Sequence, residues 1–187
     1  MSQRGGAVGV EELEKDVPVE KLRLATSVHR DFLEVLGAIT VNFQAVENTL
    51  SLSIWMLLGG MSAAADEKHQ IVTAQMSAKS LLWAFTSLYR HQFPGKNEKT
   101  LQELESRVFA AEQKRNTLTH SLWVEGEGEA ALRLKVIARG AYKLAAEEHT
   151  KEQLTEVANE LAALSYDITK FTLAAYFATN AEIPEDT

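Results

Sequence analysis

From Val19 to Leu58 the apolar residues recur at helical spacing, with Leu36, Phe43, Leu50, Ile54 and Leu57 on one stripe. Gly37 is the weak point, so the run predicts one long helix, or two joined at that glycine, stopped by "GGMS". A shorter helix is predicted from near Asp66. Another follows Ser77, where Leu81, Leu82, Phe85, Leu88 and Tyr89 make a buried face that "FPG" ends. The next runs from about Glu98 to His120, and its stripe is Leu101, Leu104, Val108, Ala111, Arg115 and Leu118. The period then changes from helical to alternating. Leu122 and Val124 alternate with Trp123 and Glu125, a Gly-rich turn follows, and Leu132, Leu134 and Val136 alternate with Arg133, Lys135 and Ile137. This predicts a β-hairpin with one apolar face, set on the helices by its leucines and valines. Thr150 with Gln153 three residues later forms a capping box, opening a last helix to about Thr179 on the stripe Leu154, Val157, Leu161, Leu164, Ile168, Phe171 and Ala175. The expected fold is therefore all-α, an up-and-down helical bundle with a β-hairpin inserted before its last helix.

The chain has 187 residues, enough for one domain with a buried core and short for two. Residues 1–17 read as a Gly-rich, acidic lead-in, 18–180 as the helical domain and 181–187 as a tail. There is no cysteine, which removes disulfides, zinc-thiolate sites and thiol catalysis and suits a reducing compartment. No apolar run is long enough to span a bilayer, and the N-terminus lacks a signal-peptide core, so the chain is expected to be cytoplasmic with no membrane partner. A formal charge of −7 argues against coating nucleic acid through the whole surface but allows a local basic patch.

Arg115 occupies a stripe position where leucine or alanine is expected, and an unpaired buried charge costs several kcal/mol. Glu47, in line with Phe43, Leu50 and Ile54 on the long helix, is its candidate partner. The pair can be a structural salt bridge fixing the register of two helices, or part of a wet groove. Asn116 and His120 lie four apart on one helix face beside Arg115, so the three can border one groove; a histidine at a helix C-terminus is also favoured by the macrodipole alone. The stretch "RNTLTH", residues 115–120, resembles the Arg, polar residue, three residues, His signature of the HEPN superfamily. These are helical-bundle domains, many of them metal-independent endoribonucleases, and often toxins or anti-phage effectors. "ITVNFQAVENTL" is similar to the Phe, Val-Glu, Leu pattern of one bacterial branch, and the resemblance covers residues 19–179.

The resemblance implies that Arg115, Asn116 and His120, with Glu47 beside them, are the site residues of a ribonuclease that needs no metal or other cofactor. Its attacking group is the 2′-hydroxyl of the RNA. His120 then serves as general base or acid, Arg115 holds the phosphate by its fork, and Asn116 orients His120 or a phosphate oxygen. A homodimer with two motifs facing one cleft, and a partner antitoxin protein, are implied in the same way.

Residues 130–146 hold no acid but contain Arg133, Lys135, Arg139 and Lys143. Arg133 and Lys135 share the strand face opposite the leucines, so they are expected to face solvent, where phosphates can track them and Trp123 can stack on a base. The alternative is an ordinary solvated strand face. "GEGEAA" mimics half of a dinucleotide fingerprint but sits between strands and reads as a turn. His29, His69, His91 and His149 lack ligand spacing, so no metal site is expected. Trp55, Trp83 and Tyr89 read as core or dimer contacts. The function expected is thus an RNA-cleaving endoribonuclease; the alternative is a non-catalytic helical interaction or nucleotide-binding module.

Overall fold

A computed structural model of the chain describes residues 28–60, 71–128, 130–137 and 143–180. The proposed lead-in and tail lie outside the described residues, as does the expected helix start near Asp66. Four long helices and three strands are described: α1 (Arg30–Leu57), α2 (Ala78–Gln92), α3 (Glu98–Thr119), β1 (Leu122–Glu125), β2 (Ala130–Ile137), β3 (Lys143–Thr150) and α4 (Lys151–Asn180). The chain is mostly helical, but the sheet makes it not strictly all-α. It is also larger than the expected hairpin: β3 adds a third strand, in the antiparallel order β1-β2-β3.

Local chemistry sets the helix ends. His29 caps α1, so this helix begins at Arg30 and not at Val19, and it runs unbroken through Gly37. Ser77 accepts from the Ser80 N–H at the start of α2. At α4 the capping box closes both ways: the Thr150 N–H donates to Gln153 Oε1 at 3.1 Å, and the Gln153 N–H donates to Thr150 Oγ1 at 3.3 Å. Between α2 and α3 the chain reverses through Gly95 at φ 73° and Asn97 at φ 53°, and Arg90 ties the two helices by reaching both Glu98 and Glu105.

The helices do not alternate in direction, which corrects the up-and-down expectation. Going along α1 and α4 together, Asn42 bonds Ala158, Thr49 bonds Ser165, and Ser53 bonds Thr172, so these two helices run parallel. α2 runs the same way as α1: the Ala78 N–H bonds Glu47 near one end, and Gln92 bonds the Leu57 carbonyl near the other. α3 alone runs opposite, with Arg107 on Asp167 and Lys114 on Glu160. The break in alternation thus falls between α1 and α2, whereas α3 ends beside the start of α4 and the sheet links those two neighbouring ends.

Phe43, Val46 and Leu50 of α1, Phe85 and Tyr89 of α2, Leu101 and Val108 of α3, and Leu161 and Ile168 of α4 fill the core, each under 2% exposed. Phe171 joins them, its ring centroid 4.7 Å from that of Tyr89. Tyr89 is thus core as expected, Trp55 is half-buried, and Trp83 lies 56% exposed under the Lys79 ammonium.

Candidate functional site

α1 and α3 bring Glu47 and Arg115 together. Both occupy helix stripes otherwise made of core residues, so packing those stripes delivers the two charges to one level, and Arg115 Nη2 lies 3.9 Å from Glu47 Oε1. The side chains are 25% and 18% exposed, neither sealed nor free. The Arg115 guanidinium rests 4.4 Å from the Phe43 ring centroid, a cation–π contact that fixes its height above the core. Burial pushes the Glu47 carboxyl up from its ordinary value and Glu112 pushes the same way; Arg115 and the Ala78 N–H oppose the rise.

Asn116 and His120 complete the motif at the end of α3. Arg115 Nη1 donates to Asn116 Oδ1 at 2.9 Å, and Thr119 Oγ1 donates to the Arg115 carbonyl at 2.8 Å, bracing the last turn. His120 is the C-cap: its N–H donates to the Asn116 carbonyl at 3.2 Å while its imidazole is exposed and has no partner among the described residues. Glu47, Arg115 and Asn116 therefore form one contact chain, and His120 stands free at its end. The chemistry available is a fixed cation, an amide that orients it, and an imidazole open to solvent.

The sheet reverses the facing expected from its sequence. Trp123, Ala131 and Arg133 turn inward, while Leu122 is 52% exposed on the outside. The Trp123 indole N–H donates to the Leu118 carbonyl at 2.8 Å, which locks its ring against the end of α3, so it is not on offer to a base. Arg133, expected at the surface, is 4% exposed; its Nη1 donates to Ser121 Oγ at 3.2 Å and its Nη2 to Glu147 Oε2. Lys135 stays exposed, and Arg139 lies outside the described residues. The physical reason is volume. The indole and the long arginine stem cover the gap between sheet and helices, and β3 supplies an acid that makes the charge tolerable.

That acid and its neighbour were not singled out from the sequence. Pairing of β2 with β3 sets Arg133 opposite Glu147 and Ala131 opposite His149. The His149 ring lies 5.4 Å from that of Trp123. The alternation of Glu147 with His149 just before the capping box is the signal that could have found them. Burial first, and Arg133 second, hold His149 below the usual histidine value, with Glu147 opposing. A base depressed in the folded state stays neutral there while the unfolded chain takes up a proton. Its contribution to stability is therefore full above pH about 6.5 and is lost as the pH falls below that. Melting followed from pH 7.5 to 5.5 should show a decline that His149→Gln makes shallower; parallel curves would refute this assignment.

Among the described residues no cluster of three or more His, Cys, Asp or Glu could hold a metal, and no helix is long and apolar enough to cross a membrane. Comparison of the chain with protein-family models finds no match, and comparisons with curated proteins and with solved structures find none either.

Proposed function

We propose that this chain is an endoribonuclease of the HEPN type, working where Glu47, Arg115 and Asn116 meet and His120 ends the same helix. The observation that carries the reading is the contact chain from Glu47 through Arg115 to Asn116, with the exposed His120 one turn further along the same helix, its N–H on the Asn116 carbonyl.

In this reading an RNA phosphate takes the outward edge of the Arg115 guanidinium. His120 accepts the proton of the 2′-hydroxyl, whose oxygen forms a bond to phosphorus as the bond from phosphorus to the 5′-oxygen breaks. Arg115 stabilises the charge gathering on the phosphoryl oxygens, and Glu47 with Phe43 holds the guanidinium in place. The leaving 5′-oxygen takes a proton from a second imidazole, which a homodimer with paired grooves supplies. The products are a 2′,3′-cyclic phosphate and a 5′-hydroxyl. A role as the toxin of a toxin–antitoxin or anti-phage system, restrained by a partner protein in the cytoplasm, belongs to the same proposal.

The test is incubation of purified protein with single-stranded RNA in EDTA, followed by analysis of the fragment ends. Cleavage leaving cyclic phosphates is expected to proceed at an undiminished rate. Activity that disappears with chelator and returns with magnesium would overturn the mechanism.

A second reading, a non-catalytic interaction or nucleotide-binding module, draws on the fact that Arg115 already has internal partners on two sides. Growth under induced expression separates the two: wild type should arrest cells and His120→Ala, at equal soluble level, should not. Equal growth favours the module.

A further inference from the structure

We propose that the cleft between the inner face of the sheet, α3 and the start of α4 binds a small organic oxyanion, a carboxylate or phosphate monoester on a compact apolar body, in exchange for the Glu147 side chain. The inference is independent of RNA cleavage: Arg115, Asn116 and His120 do not line this cleft.

The cleft has a volume of about 500 Å³, within the range of small-molecule sites. Leu118, Leu154 and Val157 supply apolar wall, Lys114 stands on α3, and Arg133 and His149 come from the sheet. Arg133 is the unusual member. A guanidinium 4% exposed normally has its donors satisfied, yet the Arg133 Nε–H has no acceptor. Nε and Nη2 form the edge of the fork that matches the two oxygens of one carboxylate or phosphate. Glu147 uses only the Nη2 half of that edge.

A second orphan lies beside the first. His149 Nε2 is buried without a hydrogen-bond partner, and the same Glu147 Oε2 that reaches Arg133 stands 3.9 Å from it, beyond hydrogen-bond range. One carboxylate oxygen thus sits between two groups and satisfies half of what they offer. Glu147 itself is 53% exposed and has water to return to, whereas Arg133 has none. An anion that spans Nε and Nη2, and accepts from His149 Nε2 in the tautomer that carries hydrogen there, completes the set that Glu147 leaves unfinished. Both orphan atoms are closed to water as the cleft stands, so ligand entry and departure of Glu147 are a single exchange.

The experiment titrates phenyl phosphate and, separately, benzoate into ¹⁵N-labelled full-length protein at millimolar concentration, with benzyl alcohol as the uncharged control. NMR follows the Arg133 Nε–H and Trp123 indole resonances. A saturable shift of the Arg133 Nε–H with at least one anion, and none with benzyl alcohol, is expected; the tighter anion identifies the headgroup. Glu147→Gln removes the competing charge but keeps an acceptor for Arg133, and should tighten that anion about tenfold. Arg133→Lys keeps the charge and loses the fork, and should weaken binding about tenfold or more. If that variant does not fold, the wild-type titration and Glu147→Gln decide. No saturable shift with either anion, an equal response to benzyl alcohol, or unchanged affinity in Glu147→Gln overturns the proposal.

Discussion

Arg115→Ala is expected to abolish RNA cleavage while leaving the protein folded, and His120→Ala is expected to do the same. Loss of a positioned proton-transfer group costs about 10²–10⁴-fold in rate, and loss of a fixed charge-stabilising donor about 10²–10³-fold, so either variant should fall below detection in an ordinary gel assay. The stability side is what gives the prediction its edge. Arg115 is 25% exposed and Glu47 18%, so water still reaches the pair, and a partly exposed ion pair contributes up to about 1 kcal/mol. The contact with Phe43 adds about 0.5–1 kcal/mol. Glu47, already displaced toward its protonated form by burial, takes up a proton more readily when Arg115 is gone, which limits the cost of stranding it. A loss of about 1–2 kcal/mol follows, well short of the 3–5 kcal/mol seen when a sealed pair is broken. His120, exposed and unpartnered, should cost about 0.5 kcal/mol or less. Thermal melts and cleavage assays on the same samples provide the check. A large stability loss in Arg115→Ala together with full activity in His120→Ala would make the pair structural.

Glu147→Ala should destabilise the fold more than Arg133→Met, although Glu147 is the more exposed partner by far. The asymmetry follows from which charge is left behind. Without Glu147, a guanidinium 4% exposed keeps only Ser121 and is left as an uncompensated buried charge, so the larger loss is expected here. Arg133→Met retains an unbranched apolar stem against Trp123 and releases a carboxylate that is already half in water, so about 1 kcal/mol or less is expected. Urea titration of the two variants gives the comparison directly. The reverse order would mean that the arginine stem, and not its charge, governs the inner face of the sheet.

The helical part of this structure could be read from local rules because its signals are local. Ser77, Thr150 and Gln153 cap helices through bonds to residues three positions away. The α3 stripe predicted Leu101, Leu104, Val108, Ala111 and Leu118 as buried, and all five are. Glu47 and Arg115 could be paired from sequence because each stood out as a charge on an apolar stripe. The sheet resisted the same logic. Its leucines alternate with Trp123, Arg133 and Lys135, and the rule that apolar residues face inward chose the wrong side, since bulk and a paired charge outweighed aliphatic content. β3 escaped notice because "KLAAEEHT" is rich in helix formers, and what makes it a strand is pairing with β2. The partner of Arg133 lies 14 residues away across that pairing, a distance at which single-chain periodicity is silent.

The parallel course of α1 and α4 has a consequence for how the chain acquires its fold. The bonds that join them close loops of 116 to 120 residues, so the two ends of the domain must meet before the apolar face of α1 is covered. Contacts of such long sequence separation slow folding, because the entropy of closing the loop is lost before the contacts return anything. On the ribosome, α1, α2 and α3 emerge with that face still open, and only completion of the final helix shuts it. The nascent chain is therefore most open to aggregation and to chaperones during synthesis of the sheet, and a stop codon placed between the end of α3 and the start of α4 should leave an insoluble product even though three of the four long helices are intact.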